Sequence, residues 1–273
     1  MIDSEVRRMG KKIAFFDIDG TLINVPHGMM EPTQATKDAL NAFKQQGNLI
    51  FIATARGSIP FKSEGLEFDG FIGNDGHYIF YNNEIVLDDL FTREEVQKQY
   101  HVLTKYDGRF IFAGHQNGWT TYWQDKYVQD HARMFAHTTK KPDTLVDDFT
   151  LDGIHAISCC AMFKNVDDLR LAYQALEKDF TMVAYETGII RMDIYRKGFK
   201  KGTAVKYMYE KLGIDQESTY AFGDGVNDIE MIENVGHGVA MGNACDELKQ
   251  VAKEPTLSVD EDGIADYFNK NLV

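Results

Sequence analysis

Cysteine is scarce: only Cys159, Cys160 and Cys245 occur among 273 residues. An odd count with two adjacent members excludes a disulfide framework and offers no zinc-ligand spacing. Proline is limited to five residues, and there is no low-complexity tract and no internal repeat. That excludes collagen-like, mucin-like and long disordered architectures. No apolar run reaches the ~18–20 residues of a membrane span, and mean hydropathy is −0.35. Positive charge is in deficit, with 29 Lys and Arg against 42 Asp and Glu, a net charge of −13. Such a surface repels polyanions and acidic membranes, so neither a nucleic-acid nor a membrane partner is expected. An anionic substrate would need a local metal ion or a few placed cations. The stretch from Met1 to Lys12 carries charge but no apolar segment, so no secretory signal is expected and a cytoplasmic location is the default. Met9 is an alternative start. Nothing in the sequence sets an oligomeric state.

What is present is ordinary for a globular protein: 44% apolar and 26% charged residues. At ~100–200 residues per domain the length suggests two domains or one large one. Ile13-Ala14-Phe15-Phe16 is a short unbroken apolar run, the pattern of a strand buried on both faces. A helix is expected from Pro32 to Gln46 with Gly47 just past its end, then strands at Leu49–Ala53 and Gly70–Gly73. Strand, helix, strand reads as parallel α/β. The pattern then changes. A hairpin is expected around Asn82-Asn83, and the capping box Thr92-Arg93-Glu94-Glu95 opens a helix to about Tyr106. Strands follow at Arg109–Ala113, Trp119–Trp123, Ile154–Phe163, Phe180–Tyr185 and Ile189–Tyr195, with a helix at Asp167–Glu177. After Gly202 the helix-strand alternation returns: a helix to Leu212, a strand at Thr219–Phe222, a helix from Asp228, a strand at Gly238–Ala240 and a helix at Ala244–Ala252. The expected architecture is an α/β, Rossmann-like parallel-sheet core built from 1–87 and 189–273, with an α+β domain inserted at 88–188.

Chemistry concentrates at expected strand ends, where open α/β sheets bind ligands. Asp17-Ile18-Asp19-Gly20-Thr21-Leu22 follows the first strand. Paired carboxylates suit a hard divalent cation or a nucleophile with an acid beside it, and equally a polar strand-to-turn cap. Gly223-Asp224-Gly225-Val226-Asn227-Asp228 follows a second buried strand, and Asn227 or Asp228 can cap the helix that begins there. Two acidic loops at two strand ends can together hold Mg²⁺. Thr54-Ala55-Arg56 ends another strand, with a hydroxyl and a guanidinium suited to phosphate oxygens. Lys200 and Lys201 open a helix, where an anion gains both dipole and ammonium.

Taken together these segments resemble the haloacid dehalogenase superfamily of phosphohydrolases. Asp17 to Leu22 matches the first signature, Thr54 the second, Lys201-Gly202 the third, and Gly223 to Asp228 the fourth. Ala240-Met241-Gly242-Asn243-Ala244 and Asp262-Gly263-Ile264 resemble the Cof-type, class IIB branch. The 146 residues between Thr54 and Lys201 leave room for a large cap of the C2 type. Two departures stand out: Thr54-Ala55-Arg56 replaces Thr-Gly-Arg, and Asn74-Asp75-Gly76 replaces Asn-Gly-Ala.

The resemblance implies an Mg²⁺-dependent phosphatase acting on small phosphorylated metabolites such as sugar phosphates or phosphorylated cofactors. Asp17 would be the nucleophile and Asp19 the general acid/base. Mg²⁺ would be held by Asp17, the Asp19 carbonyl and Asp224, with Asp228 in support. Thr54, Asn227 and Lys201 would bind the phosphoryl group, joined by Arg56. A phosphomutase of the same fold and a non-catalytic phospho-ligand sensor are the alternatives. The insert would act as a lid. His115, Trp119, Trp123, His131 and Arg133 lie in it, with packing or surface roles favoured over ligand contact, and Cys159-Cys160 is expected to be structural.

Overall fold

The computed structural model describes residues 10–59, 61, 64–135 and 140–273. The alternative start at Met9 lies outside them. The chain forms two compact units, Met1–Leu87 with Phe199–Val273, and Asp88–Gly198.

The first unit begins with β1 (Ile13–Phe16), α1 (Gln34–Gln45), β2 (Leu49–Ala53), β3 (Gly70–Gly73), β4 (Tyr78–Tyr81) and β5 (Glu84–Asp88). Every residue of the first three strands is buried, as their unbroken apolar runs require. Thr33 caps α1, its hydroxyl accepting from the Thr36 amide at 3.2 Å. The β4–β5 hairpin turns through Asn82 and Asn83, both left-handed at φ +54° and +61°. Asparagine tolerates that conformation, which a two-residue turn needs to match the strands' twist.

The second unit follows with α2 (Arg93–Lys105), β6 (Arg109–Ala113), β7 (Gly118–Trp119), α3 (Lys126–Phe135), β8 (Leu145–Val146), β9 (Ser158–Met162), α4 (Val166–Leu176), β10 (Phe180–Tyr185) and β11 (Arg191–Arg196). The capping box at Thr92 forms both of its hydrogen bonds with Glu95, at 2.7 and 3.2 Å. The six strands run in the order β10-β11-β9-β6-β7-β8. Three expectations shift here. β11 pairs with both β9 and β10, so this unit extends to Gly198 rather than ending near 188. Ile154, Ala156 and Ile157 are buried in irregular chain with His155 exposed between them, and β9 starts only at Ser158. Their hydrophobicity serves packing, and the Ala156 carbonyl accepts from the Phe91 amide. The expected strand at 119–123 contributes only Trp119, because the Thr120 hydroxyl bonds the Phe110 carbonyl and the Tyr122 amide and turns the chain away. The amphipathic α3 is not among the elements expected from the sequence.

The chain then completes the first unit with α5 (Lys201–Leu212), β12 (Thr219–Gly223), α6 (Ile229–Glu233), β13 (His237–Ala240), α7 (Asp246–Val251), β14 (Glu254–Pro255) and α8 (Gly263–Asn271). Its eight strands run β14-β13-β12-β1-β2-β3-β4-β5, parallel from β14 to β3 and antiparallel at β3–β4. Alternation along β1 sends Phe15 to one face of the sheet, with Phe51, Val205, Met208 and Met231. Phe16 goes to the other face, stacked 5.1 Å from Phe222 and close to Phe268. Among the described residues no helix is long and apolar enough to cross a membrane.

Candidate active site

β1 lies between β12 and β2, so the loops leaving these three strands share one edge of the sheet. This is where chain direction across the sheet reverses and a crevice opens at the carboxyl ends. Asp17 leaves β1, Thr54 leaves β2, and Asp224 leaves β12. Their spacing is fixed by the parallel register, which sets Phe16 opposite both Phe222 and Ile52. The Asp17 amide continues the ladder to the Phe222 carbonyl at 3.0 Å.

Lys201 stands at the first turn of α5, and its side chain is 1% exposed. Its ammonium lies 2.7 Å from Asp17 Oδ1 and 2.6 Å from Asp228 Oδ1. Neighbouring Lys200 points elsewhere, exposed and 3.4 Å from Glu230. Burial works against the Lys201 charge, but the surrounding Asp17, Asp228 and Asp75 carboxylates overcome it and hold the proton more firmly than usual. Gly202 allows this close helix approach: a Cβ there would sit 2.5 Å from the Glu230 carbonyl oxygen.

Asp228 is fully buried and accepts three hydrogen bonds. Lys201 takes Oδ1, while Oδ2 receives the Asp224 and Gly225 amides, each at 3.0 Å. It therefore folds its own loop and fixes the ammonium at once. Asp224 presents its carboxylate to Gly20, whose φ of +82° leaves a pocket for it. A Cβ on Gly20 would lie 2.1 Å from Asp224 Oδ2. Thr21 Oγ1 donates to Asp224 Oδ1 at 3.3 Å, and Asn243 Nδ2 lies 3.4 Å from Asp224 Oδ2.

Asp17, Asp224 and Asp228 each offer an oxygen, all within 4.8 Å of one another, and so can hold a metal ion. Burial and the Asp228 charge, opposed by Lys201, push Asp17 up to about 7. Burial, again with Asp228, pushes Asp224 up to about 6. Among the described residues, these carboxylates outnumber the Lys201 ammonium between them. An all-oxygen, net-anionic donor set of this kind fits a hard divalent cation.

The other expected residues are placed as follows. Thr54 is buried, its hydroxyl accepting from the Arg56 amide at 3.2 Å and its carbonyl from the Asp75 amide at 3.0 Å. Arg56 grips Asp19 rather than standing open: Nε reaches Oδ2 at 2.6 Å and Nη2 reaches Oδ1 at 2.7 Å. A phosphate contact from Arg56 would require that pair to open. Asn227 is exposed on the turn Val226–Asp228. No sequence motif assigns Asp75 a role. It occupies a left-handed position, φ +55°, where the family pattern has glycine. Its carboxyl is pushed up by burial, with Lys201 opposing.

In the second unit, Trp119 and Trp123 are buried in its apolar clusters, and Arg133 pairs with Asp130 at 2.8 Å. His131 Nε2 lies 3.5 Å from Cys160 Sγ, and Cys159 packs in the core. His115 Nδ1 faces Asp88 at 3.5 Å.

A parallel sheet carrying these acidic strand-end loops, with a buried lysine at the start of α5, defines a haloacid dehalogenase-type phosphohydrolase. Residues 14–268 match the model of the haloacid dehalogenase-like hydrolase family, and the chain belongs to that family. It is 32% identical over 270 residues to the Bacillus subtilis (strain 168) protein named "Putative phosphatase YkrA", covering 97% of this chain and 98% of that one. It is 26% identical to the 5-amino-6-(5-phospho-D-ribitylamino)uracil phosphatase YwtE of the same organism, covering 96% and 98%. The solved structure of the HAD subclass IIB sugar phosphatase BT4131 superimposes with a TM-score of 0.77 at 28% identity, covering 95% and 98%. The chain is thus a Cof-type, class IIB member and a phosphoric monoester hydrolase.

Proposed function

We propose that this protein is an Mg²⁺-dependent phosphatase of small phosphomonoesters, sugar phosphates or phosphorylated cofactors, working through an aspartyl-phosphate on Asp17. The observation that carries the reading is the buried Lys201 ammonium bridging Asp17 and Asp228, with Asp224 alongside. The names of YwtE and of the sugar phosphatase BT4131 agree with that substrate class.

In this reading the Asp17 carboxylate attacks phosphorus and displaces the alcohol, and water then releases phosphate from Asp17. Asp19 gives its proton to the leaving oxygen and takes one from the attacking water. Lys201 balances charge on the phosphoryl oxygens, while Thr54 and Asn227 hydrogen-bond them. Positioning and charge neutralisation supply most of phosphoryl-transfer catalysis. Asp17, the Asp19 carbonyl and Asp224 would hold Mg²⁺, supported by Asp228, and the ion when bound offsets repulsion between the Asp17 carboxylate and the phosphate dianion. The unit Asp88–Gly198 serves as the cap that limits access and reads the rest of the substrate.

The test is phosphate release across a panel of phosphorylated metabolites, with and without Mg²⁺. The reading predicts turnover of a subset of monoesters, abolished by chelator and restored by Mg²⁺. Full turnover in excess chelator would sink it.

A further inference from the structure

Asn243 touches three separate segments of the first unit with one carboxamide. Its Nδ2 donates to the Gly20 carbonyl at 2.8 Å and lies 3.4 Å from Asp224 Oδ2. Its Oδ1 accepts from the Val259 amide at 2.9 Å. The orientation is forced by its partners, because a main-chain amide only donates and a carbonyl only accepts. The loop bearing Asn243 is stitched to the Asp224 loop on both sides. The Met241 amide bonds the Gly223 carbonyl at 3.1 Å, and the Cys245 amide bonds the Asp224 carbonyl at 2.9 Å. Gly242 lets the chain close on the 257–258 segment, since a Cβ there would sit 2.6 Å from the Ser258 amide nitrogen. The carboxamide is therefore fixed at one end by Val259 and reaches the loops after β1 and β12 at the other.

We propose that Asn243 is a positioning residue for the cation site, setting the spacing between the Asp17–Gly20 segment and the Asp224 carboxylate. The inference rests on the cation reading of Asp17 and Asp224. It accounts for the Ala240–Ala244 motif lying beside the acidic loops. It also gives the C-terminal motif a task. The turn through Asp262, at φ +56°, returns the Gly263 amide to the Ser258 carbonyl at 3.0 Å, beside the Val259 amide that anchors Asn243. Groups that orient ligand carboxylates from behind change metal affinity about 10–100-fold when removed.

The experiment titrates full-length protein with Mn²⁺ by calorimetry, comparing wild type, Asn243→Ala and Val259→Pro, with metal-free thermal unfolding measured in parallel. Val259 begins a short 3-10 turn after Ser258, which is extended at φ −67° and ψ 165°, so proline is tolerated there. It removes the anchoring N–H and leaves every carboxylate of the site untouched. Asn243→Ala is expected to weaken Mn²⁺ binding about tenfold or more, and Val259→Pro to weaken it in the same direction by less. Val259→Pro alone decides the matter if the alanine variant does not fold. A residue that is merely structural would lower the metal-free unfolding temperature and leave Mn²⁺ affinity alone. Folded variants that bind Mn²⁺ as tightly as wild type would therefore overturn the proposal while the cation reading stands. A wild type that binds no Mn²⁺ would overturn both.

Discussion

Arg56 holds Asp19 through two parallel hydrogen bonds, at 2.6 and 2.7 Å, the fork geometry that matches a guanidinium to a carboxylate. Both side chains remain partly exposed, 37% and 49%, so the pair is a latch rather than a buried strut. It orients the carboxylate assigned to proton transfer. Breaking it with Arg56→Ala is expected to lower kcat about 10- to 100-fold, less than the ~10²–10⁴ that a positioned acid/base contributes in full. Arg56→Lys keeps the charge but loses the fork, and should recover only part of the loss. Steady-state kinetics on one monoester checks this; unchanged kcat in both variants would remove Arg56 from the mechanism.

Gly20→Ala tests the contact between the first and fourth loops. The added methyl meets Asp224 Oδ2 at 2.1 Å, and the left-handed φ of +82° adds its own strain. Asp224 has to move. Activity should fall by at least 100-fold with a lowered unfolding temperature, and a variant with wild-type kinetics would show that the Asp224 position is not critical.

Lys201→Met removes the ammonium that bridges two buried carboxylates while keeping much of the side-chain volume. Stripping one partner from a buried ionic cluster costs about 3–5 kcal/mol. Denaturant unfolding at neutral pH should show a loss of that order, and turnover should be abolished. A variant as stable as wild type would mean that Asp17 and Asp228 do not depend on the ammonium.

His131 gives the second unit a pH dependence. Burial, reinforced by Arg191, pushes its imidazole down to about 4 from the ordinary 6.5. The unfolded chain takes up a proton below pH 6.5 that the folded chain refuses until about 4. The stabilising contribution is therefore present above 6.5 and is lost as pH falls through that window. Compared with His131→Gln, wild type should lose more stability between pH 7 and 4.5 in denaturant unfolding. Parallel curves for the two proteins would contradict the assignment.

The core was legible because its strands are short, unbroken apolar runs, and because Asp17, Thr54, Lys201 and Asp224 each follow such a run or open a helix at a glycine. Parallel pairing does the rest, since strands in register bring their carboxyl ends together without any local signal for it. The cross-loop contacts were not legible. Asn243, Thr21 and Asp75 reach their partners only after β1, β12 and β13 align, over sequence separations as large as 223 residues. The Asn243 motif was visible as a pattern, but nothing in its composition points to Gly20. The second unit was read less well where packing and pairing compete. Ile154, Ala156 and Ile157 are buried as in a strand yet lie in irregular chain, and β11 follows Gly188 as a hairpin arm although the core was expected to resume there.

The most direct measurement concerns Asp17. Asp19→Asn should still allow attack on p-nitrophenyl phosphate, whose leaving group needs no acid, while slowing hydrolysis of the intermediate. Acid quench and peptide mass spectrometry of this variant should then find one phosphoryl group on the fragment carrying Asp17, and none when Asp17→Asn is added. Release of p-nitrophenol by Asp19→Asn with no phosphoryl group on that fragment, together with undiminished turnover in Asp17→Asn alone, would contradict the covalent mechanism.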